Sequence, residues 1–192
     1  PVLHFDLSTF KNCELSLFPE KFDMQLRKFE KQFGIENTKK SAGNRLTQLI
    51  EEAEVKTGKK VVVIIDEYDA PLLDVLHDEI KQEAVRTIMQ EFYAPIKANS
   101  SHIHFAFITG ITKFSQLSIF STINNLTNVS MDPEFSTICG ITKDELDAVL
   151  KEDIAVLASK NHVSFERMRE LLRENYDGYH FSREGEDIFN PY

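Results

Sequence analysis

Residues 60–69 read KVVVIIDEYD, and this run sets the fold class of the chain. Five β-branched apolar residues in succession, from Val61 to Ile65, are typical of a strand in the interior of a parallel sheet. Asp66 and Glu67 follow the run directly. Ligands of open parallel sheets bind at the carboxyl ends of the strands, so these carboxylates fall where a ligand is expected. The run therefore predicts a core strand whose end carries a metal ligand and a base.

Further strands and helices alternate around this strand. Apolar runs predict strands at residues 2–8 and 103–109, and a weaker run predicts one at 128–131. Helical spacing of apolar residues predicts helices over about 20–32, 43–57 and from 78 onward, with Pro95 expected to kink or end the last one. The alternation predicts an α/β fold, a parallel sheet sandwiched by helices.

The chain changes character near residue 141, after which only helices are predicted. Thr142 and Glu145 have the spacing of a capping box, and the helix that they open carries an apolar stripe extending to Leu157. Ser164 is expected to cap another helix. We therefore expect an α/β core over residues 1–140 and a helical, lid-like subdomain over residues 141–192.

The composition narrows the classes of function. The 192 residues carry 22 basic and 31 acidic side chains, a net charge of −9, which argues against a nucleic-acid surface spread over this segment. No apolar run approaches the roughly 20 residues of a membrane span. Cys13 and Cys139 are far apart and form neither a disulfide framework nor a zinc motif, so a reducing cytoplasm is the expected location.

The strand at 60–66 and its two carboxylates form the pattern of a Walker B strand in a P-loop ATPase. Such a strand works with a G-x-x-x-x-G-K-[ST] loop, whose amides hold the β- and γ-phosphates of ATP. The 192 residues contain no such loop: before Gly58, Ala53 stands in place of the first glycine, and Lys60 stands in place of the hydroxyl residue. We therefore expect an ATPase domain whose phosphate loop precedes Pro1, and little activity without that loop.

Four residues are candidates for the chemistry of such a site. Asp66 would hold Mg²⁺ through its water shell, and Glu67 would orient or deprotonate the attacking water. Thr109, at the end of the next core strand, could reach the γ-phosphate or that water, and Lys113 could pair with phosphate. Each has a plainer interpretation: solvated acids at a strand end, a strand-ending threonine and a loop lysine. Asp69 is interpreted as a turn residue.

Several separated motifs carry a resemblance to a known family. They are VVVIIDEYDAP, FITGITKFS with SIFSTINNL, then YDGYHF and FNPY. Together they resemble the AAA-ATPase-like family of bacterial and archaeal proteins, in which an ATPase domain precedes a nuclease-like domain of the PD-D/E-x-K superfamily. The resemblance implies that Asp66 and Glu67 are the Walker B pair, that Thr109 is a sensor-like residue, and that ATP, Mg²⁺ and a following nuclease-like domain belong to the parent protein.

The resemblance also implies a strand order of 5-1-4-3-2. Here the strand at residues 2–7 would be the second, 61–65 the third, 103–109 the fourth and 128–131 the fifth. With the first strand absent, the fourth should expose an apolar edge, which could draw in the fifth strand or a second molecule. Two other functions stay open: a nucleotide-independent interaction scaffold, and a metal-dependent phosphodiesterase or nuclease built on the acids of DEYD.

Overall fold

A computed structural model describes residues 1–111 and 126–190 of the chain. The elements alternate as the sequence predicts and then become helical. In chain order they are β1 (Val2–Asp6), α1 (Phe18–Phe33), α2 (Ala42–Thr57), β2 (Val61–Asp66), α3 (Ala70–Leu73), α4 (Glu79–Ala98), β3 (Ile103–Ile108), α5 (Lys143–Val149), α6 (Lys151–Lys160) and α7 (Phe165–Tyr176), with short 3-10 turns at Ser8–Phe10, Leu15–Leu17 and Pro133–Phe135.

The three strands form one parallel sheet in the order β1-β2-β3. Asp6 is in register with Asp66, and Ile65 is in register with Ile108, so the carboxyl ends of the strands lie along one edge. The α/β fold with a parallel sheet is thus confirmed, as is the placement of the 60–66 strand at the centre of these three strands.

One face of the sheet forms the main core. Leu3, Phe5, Val63 and Ile65 are fully buried there. The ring of Phe5 packs edge-on against Phe29 of α1 and Phe92 of α4, with centroids 5.3 and 5.2 Å apart. Such contacts contribute about 0.5–1.5 kcal/mol each beyond their buried area. A dense aromatic core therefore fixes β1 and β2 against the helices.

The opposite face and the outer edge of β3 are more open. Phe105 is 52% exposed, and its ring stacks on that of Phe107 at 6.0 Å. Within the described ranges, β3 pairs with β2 alone. Self-association through this edge stays a prediction. None of the described helices combines the length and apolar character needed to cross a membrane.

The prediction that Pro95 ends its helix is wrong, because α4 continues to Ala98 with Pro95 inside it. The kink stays a prediction. Proline has no N–H for the carbonyl four residues earlier, which belongs to Glu91. At that carbonyl α2 comes very close: a Cβ built on Gly43 would lie 2.5 Å from the oxygen of Glu91. Gly43 of α2 therefore packs closely on α4 at the carbonyl that has no helical N–H partner.

The strand expected at residues 128–131 is wrong. These residues form no strand and lead through a turn into the Pro133–Phe135 3-10 turn. The side chain of Asn128 accepts a hydrogen bond from the Ser130 N–H at 3.0 Å, and the Val129 carbonyl accepts one from Asp132. Local hydrogen bonds of this kind compete with strand pairing.

Contacts divide the chain into two compact units, Pro1–Leu126 and Thr127–Tyr192. In the second unit the capping box of Thr142 and Glu145 and the cap at Ser164 are confirmed. The single helix predicted from 142 is wrong, since α5 ends at Val149 and α6 begins at Lys151. Because of this break the predicted apolar stripe is not continuous, and Val149 is 72% exposed. The unit's core is instead Leu146, Ile154, Ala158, Met168 and Phe189.

Candidate active site at the carboxyl end of the sheet

The candidate site lies where β2 and β3 end side by side. The backbone continues the sheet pairing past the assigned ends: the Thr109 N–H donates to the Ile65 carbonyl, and the Tyr68 N–H donates to the Thr109 carbonyl, each at 2.9 Å. Thr109 is therefore held from both of its backbone groups by the residues around Asp66. Its side chain is half-buried.

The carboxylate of Asp66 is oriented by its neighbours. Its Oδ1 accepts hydrogen bonds from the Thr109 hydroxyl and, at 3.1 Å, from the Glu67 N–H. Within the described part of the chain, its Oδ2 has no hydrogen-bond partner. The side chain is exposed. Asp66 therefore presents one fixed and one available oxygen at the end of the central strand.

Glu67 is exposed and has an unusual backbone. Its φ of 51° lies in the left-handed region, which costs a non-glycine residue about 1–2 kcal/mol. The chain turns sharply there, and the Glu67 carbonyl accepts a hydrogen bond from Ala70 at 3.0 Å as α3 begins. Strained residues of this kind cluster at functional sites, since the surrounding structure must hold them in place. At Glu67 the chain therefore leaves the direction of β2.

Asp69 is the residue that sequence reasoning undervalued. It precedes α3, as a turn residue would, but its side chain is buried, with 1% exposure. Its Oδ2 accepts a hydrogen bond from the N–H of Ile111 at 3.0 Å. The signal available in the sequence was a third acid, two residues after the Asp66–Glu67 pair, directly before the apolar helix start at Ala70.

A buried tyrosine, Tyr93 of α4, is hydrogen-bonded to the turn between β2 and α3. The hydroxyl of Tyr93 donates to the carbonyl of Tyr68 at 3.2 Å, and Tyr93 is fully buried. Burial raises the pKa of the Tyr93 hydroxyl well above its ordinary value, and the nearby Tyr68 and Asp69 raise it further. The hydroxyl therefore keeps its proton and remains a donor to the turn.

The structure thus brings Asp66, Glu67 and Thr109 together. Lys113, the fourth candidate, lies outside the described residues, as do residues 118–125 of the SIFSTINNL motif. Among residues 1–111 and 126–190, no group of three or more His, Cys, Asp or Glu side chains is placed to hold a metal ion. A metal at Asp66 would therefore take most of its ligands from water and from a bound ligand, as Mg²⁺ does in nucleotide sites.

Comparisons with known proteins identify the family of the chain. A family described as "Predicted AAA-ATPase" matches residues 1–120. The chain is also similar to an uncharacterised protein encoded in the vnfD 5′ region of Azotobacter chroococcum mcd 1, with 36% identity over 164 residues. That match covers 85% of this chain and 29% of the relative, so the chain spans less than a third of the relative's length. No solved structure matches. On the family match, which includes all three strands and the Asp66–Thr109 pair, the chain belongs to the AAA-ATPase-like family.

Proposed function

We propose that these residues form part of an ATP-binding and ATP-hydrolysing domain in a longer protein, in which the state of the nucleotide controls a nuclease-like effector domain. The observation that carries the proposal is the hydrogen bond between Thr109 and Asp66 at the end of the central strand, beside the exposed Glu67. Membership of the AAA-ATPase-like family supports it.

Asp66 is the proposed magnesium ligand. A carboxylate oxygen is a ligand that Mg²⁺ prefers, and one such ligand is the usual number where a nucleotide supplies the others. The available Oδ2 and the exposure of the side chain fit this role. When bound, the ion neutralises charge on the phosphate oxygens. Asp66 itself contributes a fixed direction, since Oδ1 is held by Thr109 and by the backbone of Glu67.

Thr109 is proposed to orient Asp66. A hydroxyl group has one hydrogen to donate, and here it is donated to Asp66 Oδ1. While that bond is made, Thr109 can only accept a hydrogen bond from another group. Its effect on the reaction therefore runs through Asp66 rather than through a hydrogen bond donated to phosphate.

Glu67 is proposed to orient or deprotonate the attacking water. Glu67 is exposed and directly follows Asp66, and its left-handed backbone ends the strand there. General base catalysis of this kind contributes about 10²- to 10⁴-fold to a rate. Lys113 is the proposed partner of a phosphate.

The phosphate loop is proposed to come from a segment before Pro1. Backbone amides at the start of a helix and the loop lysine supply most phosphate contacts in this class of site. Asp66 and Glu67 offer only negative charge to a polyanion. The 192 residues alone should therefore bind Mg-ATP no more tightly than about 1 mM, which corresponds to about 4 kcal/mol.

The test uses the longer protein and its Glu67→Gln variant. We expect calorimetry to give the same ATP affinity for both, while phosphate release falls by about 10²- to 10⁴-fold in the variant because the base is lost. The 192-residue chain serves as the control for the phosphate loop.

Three results would contradict the proposal. They are a Glu67→Gln variant that hydrolyses ATP at the wild-type rate, micromolar ATP affinity in the 192-residue chain, and a longer protein that does not bind ATP. The last result would favour an interaction scaffold. Metal-dependent cleavage of DNA or RNA that is lost in Asp66→Ala would favour a phosphodiesterase.

A further inference from the structure

We infer that Asp69 is a positioning residue of this site: its buried carboxylate fixes the backbone after β3, and this in turn holds Thr109 against Asp66. The inference rests on the proposed function, because its consequence is a change in ATP hydrolysis. Asp69 would not touch the nucleotide. It would act through the hydrogen bond between Thr109 and Asp66.

Two hydrogen bonds run between the turn after β2 and the backbone after β3. The Tyr68 N–H donates to the Thr109 carbonyl at 2.9 Å, and the Ile111 N–H donates to Asp69 Oδ2 at 3.0 Å. The first bond holds the residue that carries the hydroxyl, and the second holds the chain two residues later. Residues 109–111 are thereby fixed to residues 68–69 at both ends.

Gly110 shows how close the two segments are. A Cβ built on Gly110 would lie 2.4 Å from Cε1 of the Tyr68 ring and 2.6 Å from Asp69 Oδ1. Real Cβ atoms are essentially never found so close to other heavy atoms. The Tyr68 ring and the Asp69 carboxylate therefore pack directly on the backbone of Gly110, with no room for a side chain.

The burial of Asp69 gives these contacts their weight. A carboxylate with 1% exposure loses its water and must be compensated by hydrogen bonds from the protein. If Asp69 is replaced by an apolar residue, the N–H of the exposed Ile111 loses its acceptor in the protein, and the chain after β3 loses its link to the turn after β2. Thr109 keeps its backbone hydrogen bonds to Ile65 and Tyr68, but the chain two residues later loses its anchor, so the Thr109 hydroxyl is held less firmly against Asp66 Oδ1.

The experiment measures ATP hydrolysis by the longer protein as wild type, Asp69→Ala, Thr109→Val and the double variant. We expect Asp69→Ala to lower kcat by up to about tenfold, no more than Thr109→Val, because it acts through the same hydrogen bond to Asp66. ATP affinity should change by less than about threefold, because Asp69 touches no phosphate. The double variant should be no slower than the slower of the two single variants, because both remove the same contact.

A matched control separates positioning from general loss of stability. Glu30 is also a buried carboxylate, paired with Arg45 through hydrogen bonds of 2.9 and 2.7 Å between α1 and α2. Glu30→Ala should lower the thermal midpoint of unfolding at least as much as Asp69→Ala while leaving kcat within about twofold of wild type. If Asp69→Ala does not fold, Asp69→Leu, which also lacks an acceptor for the Ile111 N–H, replaces it in the same cycle with Thr109→Val.

The outcomes distinguish the two proposals. If wild type hydrolyses ATP and Asp69→Ala keeps the wild-type kcat, the inference fails and the proposed function stands. The inference also fails if the effects of Asp69→Ala, or of Asp69→Leu, multiply with that of Thr109→Val in the double variant. A longer protein that binds ATP without hydrolysing it overturns both. Effects that do not multiply, together with an unchanged kcat in Glu30→Ala, support the inference.

Discussion

Two neighbouring strands of this sheet end in aspartate, and the two aspartates are used differently. Asp6 and Asp66 are register partners at the ends of β1 and β2. Asp6 is bonded within its own surroundings: its Oδ1 accepts from the Ser8 N–H at 2.9 Å, and its backbone groups pair with the side chain of Gln25. Asp66 instead accepts a hydrogen bond from the hydroxyl of Thr109, which follows the neighbouring strand β3.

The difference follows from the position of the strands. Within the described sheet β1 is an outer strand, while β2 has a neighbour on each side. Asp66 at the end of β2 is therefore hydrogen-bonded by Thr109, which follows β3. Asp6 at the end of β1 is hydrogen-bonded by Ser8 of the turn that follows it. An acidic residue at a strand end is thus not a site by itself. It becomes a candidate when a second strand end presents a complementary group to it.

The largest expected effect is the loss of ATP hydrolysis when Asp66, rather than Asp6, is replaced by asparagine. In the longer protein, Asp66→Asn should lower the rate of ATP hydrolysis by about 100-fold, because losing about 3 kcal/mol of charge stabilisation at the metal has that effect. Asp6→Asn should change the rate by less than about twofold. Phosphate release over a range of Mg²⁺ concentrations measures both. Equal losses in the two variants would show that the two strand ends do not differ in function.

The second comparison concerns the hydroxyl that sets Asp66 apart. Thr109→Val removes the hydrogen bond to Asp66 with little change in shape, whereas Thr109→Ser keeps the hydroxyl. Because a hydrogen bond to a charged group contributes about 1.5–3 kcal/mol, and less where water competes, we expect Thr109→Val to lower kcat about tenfold. Thr109→Ser should stay within about threefold of wild type. A serine variant as slow as the valine variant would show that the methyl group matters instead.

The three strands of the sheet and the first two helices could be predicted from the sequence because their signals are local. The buried run before Asp66 has one plausible conformation, and α1 and α2 both end at glycines, Gly34 and Gly58, whose positive φ angles suit helix ends. These signals need no knowledge of the rest of the chain. The predicted candidates Asp66, Glu67 and Thr109 likewise followed from their positions at strand ends.

The features that were missed depend on contacts between distant residues. Asp69 looks like a turn residue until its partner Ile111, 42 positions away, is known. Pro95 looks like a helix end until Gly43 of α2 is seen to pack on the carbonyl that proline leaves without its helical partner. Both contacts join residues that are distant in the sequence, and no pattern within a window of the sequence reports them.

The smallest expected effect concerns how Asp6 responds to acid. Hydrogen bonds from the Ser8 hydroxyl and then from the Ser8 backbone hold the pKa of Asp6 below its ordinary value. A carboxyl whose pKa is lowered by folding stabilises the protein fully above its unfolded pKa, and this contribution is lost as the pH falls through the folded pKa. Asp6→Asn removes the titrating group.

Urea unfolding of the 192-residue chain at pH 7 and at pH 3 tests this expectation. Between these pH values the wild type should lose slightly more unfolding free energy than Asp6→Asn, by less than about 1 kcal/mol because Asp6 is exposed and its interactions are screened by water. The same loss in both proteins would mean that the hydrogen bonds from Ser8 do not hold the charge of Asp6. Asp6 would then not be held by its own turn, and the ends of β1 and β2 would differ only through the Thr109 hydroxyl.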